Sequence, residues 1–303
     1  MEKNKNQKAL TETDLCLPVH TRGKVRDIYE LDDNLLIVAT DRISTYDVVH
    51  PNGIPNKGKI LTQLSLFWIN FLRKNTKIQD HLISSSVDDL PKEIKLGYKD
   101  TLEGRIMMVK KAIPVPIECV VRGYLYGSAW EDYKRTGNIC GIKLPKKLQM
   151  VEKLSEPIFT PSTKATIGHD ENIPFEKAED LVGKEVMRRI RDYSLEIYKK
   201  AHDYAEKKGI IIADTKFEFG ITNGEIILID EILTPDSSRF WNTKKYKRGQ
   251  KPESFDKQFV RDYVTSIGWD KKPPAPELPL GIIKKTKEKY QEAYQRLTGN
   301  EWK

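Results

Sequence analysis

Four polar residues carry the first sign of chemistry in this chain. Asp214, Lys216 and Glu218 alternate with other residues through Gly209-Ile-Ile-Ile-Ala-Asp-Thr-Lys-Phe-Glu-Phe-Gly, and Asp230 closes the run Glu225-Ile-Ile-Leu-Ile-Asp that follows. Side chains alternate sides along a strand, so the first three share a face. Carboxylates gathered there repel one another unless a cation lies between them. A hard divalent ion such as Mg²⁺, with substrate phosphates on its other positions, meets that need. For an acidic hairpin taken alone, a solvated face whose charges pair with Lys216 is the plainer alternative.

The element that must position these residues is a β-hairpin, since two β-branched and aromatic runs flank Thr222-Asn223-Gly224, a strong turn signal. Two registers are open. A two-residue turn sets Glu218 opposite Ile229 and Asp230 opposite Phe217, mixing charge with oil. A three-residue loop, with Gly224 left-handed in a bulge, sorts them cleanly. The second predicts Asp214, Lys216, Glu218 and Asp230 on one face, beside Ile226 and Leu228, with Phe217, Phe219, Ile227 and Ile229 on the other.

The 303 residues suffice for one large domain or two ordinary ones, and 38% hydrophobic with 32% charged residues fits a soluble globular protein. No apolar run approaches the ~20 residues of a membrane span, and the N-terminus lacks the apolar core of a signal peptide, so the expected location is the cytoplasm. Three cysteines without C-x-x-C spacing argue against a disulfide framework or zinc site. The net charge of +8 is dispersed among acids, which favours anionic small molecules over nucleic acid.

Residues 1 to about 18 read as a polar arm, partly ordered at best. Thr21-Arg-Gly-Lys-Val-Arg-Asp and Leu35-Leu-Ile-Val-Ala-Thr read as strands around a turn at Asp32-Asp33-Asn34, with Gly23 at the mouth and Lys24 and Arg26 beside it, a pattern suited to phosphate. The polar cluster Asp41-Arg-Ile-Ser-Thr-Tyr-Asp47 follows. Residues 53 to 59 open like a P-loop, but Ile60 stands where a magnesium-binding hydroxyl is required, which excludes a Walker-type site. A helix is expected from Ile60 to Lys74. Ile113-Pro-Val-Pro-Ile marks a stiff, extended domain junction. Beyond it, Arg122 and Ser128 flank a turn into a helix, a good anion site. Ser162, Lys164, His169 and Asp170 lie in a later polar loop.

Gly23-Lys-Val-Arg-Asp-Ile-Tyr, Asp41-Arg-Ile-Ser-Thr-Tyr-Asp, Arg122-Gly-Tyr-Leu-Tyr-Gly-Ser, Pro161-Ser-Thr-Lys-Ala, Asp214-Thr-Lys-Phe-Glu-Phe-Gly, Asp230-Glu-Ile-Leu-Thr-Pro-Asp-Ser-Ser-Arg and Ser254-Phe-Asp-Lys-Gln-Phe-Val-Arg-Asp stand in that order. From residue 20 to about 265 the chain resembles the phosphoribosylaminoimidazole-succinocarboxamide synthase (SAICAR synthetase) family. The length and an insert around 130 to 160 resemble the form found in fungi and some bacteria.

The resemblance implies an ATP-dependent ligase that condenses L-aspartate with the carboxylate of an imidazole ribonucleotide (CAIR) in purine biosynthesis. It implies an α+β, two-lobed fold. An N-terminal antiparallel sheet lobe (19–113) covers ATP in the manner of a kinase small lobe or an ATP-grasp enzyme, and a larger α+β domain (114–303) carries the hairpin. Gly23, Lys24, Val25, Arg26 and Lys110 are implied around ATP, and Glu218 and Asp230 as ligands of Mg²⁺. Arg122, Ser128 and Arg239 are implied at the ribonucleotide phosphate, and Lys164, His169 and Asp170 at aspartate. Asp47, Ser44, Lys216 and Asp214 are implied at the reacting centre. His169 and Asp170 are base candidates on residue type alone. Helices over 256–266 and 284–297 are expected on the outside, and relatives of this longer form are monomers, which sets the expectation here. Another ATP-dependent ligase or a small-molecule kinase on the same lobes is the alternative. No module with aromatics interleaved among basic residues marks an RNA-binding protein.

Overall fold

The computed structural model describes residues 8–164 and 171–302. The chain opens with β1 (Val19–Arg22), β2 (Arg26–Leu31) and β3 (Asn34–Ala39), then the short pair β4 (Ser44–Thr45) and β5 (Val48–Val49). Helix α1 (Lys57–Asn75) leads to β6 (Gln79–Asp80), β7 (Leu82–Ser84), α2 (Lys92–Leu102), β8 (Ile106–Lys110) and β9 (Ile113–Pro114). There follow β10 (Ile117–Tyr124), α3 (Ser128–Thr136), the pair β11 (Asn138–Ile139) and β12 (Ile142–Lys143), and β13 (Lys153–Thr163). The last part holds α4 (Phe175–Val182), α5 (Lys184–Lys207), β14 (Ile210–Thr222), β15 (Glu225–Ile229), β16 (Ser238–Asn242), α6 (Gln258–Ser266) and α7 (Leu280–Thr298).

The smaller sheet runs β1-β2-β3-β8-β7, and the larger runs β13-β10-β14-β15-β6, with β16 and β9 also paired to β14. The fold is therefore mixed α+β with mainly antiparallel sheets, as expected. At 13 residues β14 is the longest strand. It pairs with β10 and β16 along its first part and with β15 and β9 towards its end. The segment before residue 113 also reaches into the larger sheet, because β6 pairs in parallel with β15. One apolar core joins Ile37, Met107 and Val109 of the small sheet to α1, α5 and the Phe217 and Phe219 face of β14.

Two expectations change. The hairpin turns on Asn223-Gly224 alone, with Thr222 opposite Glu225 and Glu218 opposite Ile229. Asn223 and Gly224 take φ of 50° and 77°, the left-handed pair a tight turn matched to strand twist requires. Ile226 and Leu228 therefore join Phe217 and Phe219 in the core, while Ile227 and Ile229 share the side of Glu218. Likewise, the part of the N-terminal arm from Lys8 onward is packed. Leu15 is buried in a second core cluster, and Thr13 bonds to Asp27 through both its amide (2.9 Å) and its hydroxyl (2.8 Å). Two leucines and a buried carboxylate partner outweigh the segment's polar composition.

The helix expected from Ile60 begins at Lys57 and buries Ile60, Leu61, Leu64, Trp68 and Leu72. Gly58 is required there, since an added Cβ would lie 2.2 Å from the carbonyl oxygen of Ala39. Ile113-Pro114 is an edge strand against Ile221 and Gly220, a place where proline's missing donor is tolerated.

Candidate active site

Strand β14 lays Asp214, Lys216 and Glu218 in a row along one cavity. At ~3.3 Å per residue the row spans roughly 13 Å. The neighbouring strand β10 contributes Glu118, Val120 and Arg122 by the same alternation, with Val120 opposite Lys216 and Arg122 opposite Asp214. The cavity encloses about 550 Å³ between the two sheets. Gly23, Lys24, Val25 and Arg26 line it from the small-sheet side, Ser44 and Asp47 from the loop after β3, and Glu218, Asp230, Ser128 and Arg239 from the side of the larger sheet.

At one end Arg26 donates to Asp230 at 2.8 Å and lies 3.3 Å from Glu231. Glu218 takes Lys164 at 2.6 Å and Lys216 at 3.3 Å, and Lys216 also bonds to Glu118. Burial opposes ionisation of Glu218, but the attraction of Lys216, Lys164 and Arg26 outweighs it and holds the carboxyl at about 2. Asp230 goes the other way. Burial, against the pull of Arg26 and with repulsion from Glu218 and Glu231, raises it to about 6.

Asp230 reaches this end by a route the hairpin register did not foresee. Strand β15 stops at Ile229, and Asp230 adopts φ of 65°, so the chain turns and the carboxylate meets Glu218 without sharing its strand face. The two carboxylates repel each other, and hard oxygen donors of this kind suit Mg²⁺. Among the described residues no group of three His, Cys, Asp or Glu side chains is arranged to hold a metal ion.

At the other end Asp214 accepts from Arg122 (3.3 Å) and from Arg239 (2.5 Å). Arg122 is fixed further by Thr160 (2.9 Å) and Ser128 (3.3 Å). Gly127, with φ of 62°, precedes α3, and an added Cβ there would lie 2.7 Å from the Arg239 guanidinium. Among the described residues the Nε donors of Arg239 and Arg261 are buried without hydrogen-bond partners. Buried donors in that state await an acceptor, and here both belong to residues lining the cavity.

Three further residues that line the cavity were given no role from the sequence: Asp256, Lys257 and Arg261. Burial raises Asp256 to about 6 although two amides donate to it, and burial lowers Lys257 to about 8 although Asp236 attracts its charge. The signal was the i, i+4 spacing of Lys257 and Arg261 across the start of α6. Glu118, which bonds to Lys216, was likewise given no role, and its signal is the period-two spacing of residues 118, 120 and 122 along one strand face. Of the expected residues, Lys110 is exposed on β8 and does not line the cavity. Lys164 approaches Glu218 but is also outside the lining. Asp47 pairs with Lys24 at the rim. His169 and Asp170 lie outside the described residues.

A family profile for SAICAR synthetase matches residues 19–276. The phosphoribosylaminoimidazole-succinocarboxamide synthase of Thermodesulfovibrio yellowstonii is 60% identical over 277 residues, covering 91% of this chain and 94% of that protein. The enzyme of the same name from Maridesulfovibrio salexigens is 57% identical over 297 residues, covering 97% and 98%. Among solved structures, the SAICAR synthase of Saccharomyces cerevisiae complexed with SAICAR superposes with a TM-score of 0.89 at 48% identity, covering 97% of this chain and 99% of that one. A SAICAR synthetase in complex with ADP superposes at 0.70 with 28% identity, covering 94% and 99%.

Proposed function

The chain belongs to the SAICAR synthetase family, an ATP-using ligase of purine biosynthesis, and from that premise we propose how its own cavity divides the work. The single observation that carries the division is the row Glu218, Lys216, Asp214 across the cavity, with carboxylates for a metal–nucleotide at one end and paired arginines for an anion at the other.

Gly23, Lys24, Val25 and Arg26 approach the phosphates of ATP, which they can do closely because Gly23 carries no side chain. Glu218 and Asp230 would hold Mg²⁺, which when bound neutralises phosphate charge and fixes its geometry. Arg122, Ser128 and Arg239 take the 5′-phosphate of the ribonucleotide, and Asp214 keeps the two guanidiniums apart at a fixed spacing. Lys216, midway, meets the phosphoryl group in transit.

A carboxylate is a poor electrophile, so the ribonucleotide carboxylate oxygen attacks the γ-phosphorus, the bond to the β-phosphate oxygen breaks and ADP leaves. The acyl phosphate formed is attacked at its carbonyl carbon by the amine of aspartate. Phosphate departs, and the amine proton passes to a base. Phosphoryl transfer needs positioning and charge neutralisation more than covalent help, which fits a cavity rich in both charge signs.

An ADP-release assay with each of ATP, ribonucleotide and aspartate omitted in turn tests this. Sustained turnover requiring all three is expected, with no more than about one equivalent of ADP per site when aspartate is omitted, as an acyl phosphate allows; continued ADP release without aspartate or without the ribonucleotide would point instead to a kinase. Among the described residues no helix is long and apolar enough to cross a membrane, and we place the enzyme in the cytoplasm, where fractionation should recover it. The large exposed apolar side chains, such as Leu96, Ile113, Leu181 and Leu280, lie on different elements. We therefore propose a monomer, with a sedimentation mass near 35.0 kDa.

A further inference from the structure

The arginine end of the cavity stands where the larger sheet loses its regular pairing. Between β10 and β14 the ladder ends at Arg122 opposite Asp214. Against β13, β10 breaks register between Arg122 and Tyr124, and against β16, β14 breaks between Ile212 and Asp214. Backbone hydrogen bonds thus hold Arg122 and Asp214 to each other's strand on one side only.

On the other side, among the described residues, a phenol lies between the two strands. Tyr198, on α5 behind the sheet, is buried and donates its hydroxyl to the carbonyl oxygen of Ile212 at 2.6 Å. The same phenolic oxygen lies beside the backbone of Gly123 on β10. The hydroxyl sits where a side chain at position 123 would begin, since a Cβ built there would lie 2.0 Å from it. Arg122 faces the cavity, so the vacant side of Gly123 faces the helix. One oxygen bridges β10 to β14 just beyond their last regular pair, replacing the missing rung.

We infer that Tyr198 is a positioning residue for the anion site made by Arg122, Asp214 and Arg239, acting from the reverse face of the sheet without touching substrate. The Arg122–Asp214 and Arg122–Ser128 contacts are both 3.3 Å, near the limit of a hydrogen bond. A small parting of the strands at Gly123 therefore loosens the arginine's aim, while the Glu218–Asp230 end, farther along β14, is unaffected. The inference rests on the reading that this site takes the ribonucleotide phosphate.

The test compares three variants of the full chain with wild type. Tyr198→Phe removes only the bridging oxygen. Ile190→Val, also buried on α5, lowers stability without touching the bridge. Arg122→Lys checks the underlying site. The expected result for Tyr198→Phe is a five- to twentyfold rise in KM for the ribonucleotide, with KM for ATP and for aspartate within twofold, and a matching loss of affinity for ribose 5-phosphate in thermal-shift titration. Ile190→Val should change no KM. The inference is overturned if all three KM values in Tyr198→Phe stay within twofold of wild type or rise together, or if Ile190→Val gives the same selective rise. If Arg122→Lys leaves the ribonucleotide KM unchanged, the anion-site reading itself fails and takes the inference with it. Should the phenylalanine variant not fold, hydrogen exchange on the wild-type protein decides. Ribose 5-phosphate must slow exchange of the Gly123 amide more than that of Val120, and equal effects would overturn the role.

Discussion

Glu218 is held ionised by three cations at once, so its charge is present at any working pH. Replacing it with glutamine keeps the shape, removes the charge and leaves Lys164 and Lys216 facing a neutral amide. Glu218→Gln should lower kcat by about a hundredfold or more, on the scale of losing a group that neutralises transition-state charge, with an unchanged circular dichroism spectrum. A variant as active as wild type would remove Glu218 from the metal–nucleotide end. Lys257 titrates within reach of experiment. Its pKa lies near 8 in the folded protein because burial disfavours the ammonium, whereas an unfolded lysine keeps its proton to ~10.4. The cation is therefore present below pH 8 and lost as pH rises through it. Between about 8 and 10 the unfolded chain binds the extra proton, so this group adds stability with rising pH there. If its charge faces an anionic substrate, KM for aspartate or the ribonucleotide should climb above pH 8, by up to about tenfold per unit. Lys257→Met should erase that rise, and profiles that superpose would exclude the contact.

At the scale of elements, the residues that alternate along β10 and β14 were legible because a strand has a period of two and no freedom to depart from it. The hairpin's turn residues were legible too, but not its register, because the expected sorting of charge from oil assumed that both strands run straight to residue 230. The chain instead leaves the strand at Ile229 and turns left-handed at Asp230, a local conformation with no sequence period. The 24-residue helix α5 is not among the expected elements although Met187, Ile190, Ile197, Tyr198, Ala201 and Ala205 recur at helical spacing, because its charged residues form no chemical motif. Lys57 illustrates a different blindness. It lies fully buried in the first turn of α1 and pairs at 2.7 Å with Asp236, which also accepts from Tyr290 at 2.7 Å. Only tertiary structure brings residues 57 and 236 together. Lys57→Ala removes the cation paired with a buried carboxylate, leaving it the attraction of Lys257 and the Tyr290 hydrogen bond, and should cost about 3 kcal/mol in denaturant unfolding. A loss under about 1 kcal/mol, in the range of an exposed pair, would show that water reaches the carboxylate.

At the scale of the whole molecule, Arg26 ties the two sheets together across the cavity, reaching from β2 to Asp230 and Glu231 with side chains only 19%, 20% and 9% exposed. Its guanidinium neutralises the same carboxylate that the proposed metal site requires, so the two cations compete for Asp230. This gives a result that a purely structural pair would not produce. Arg26→Met should lower stability by about 3 kcal/mol, as expected when one partner of a buried ion pair is removed. Mg²⁺ alone should then raise the variant's melting temperature more than that of wild type, because the metal no longer has to displace a fixed charge and ligand binding stabilises in proportion to the logarithm of concentration over Kd. Double substitution with Asp230→Asn should abolish the added Mg²⁺ response. If Mg²⁺ moves the melting temperature of Arg26→Met no further than that of wild type, Asp230 serves as an inter-sheet partner of arginine and the metal must be held elsewhere along the row.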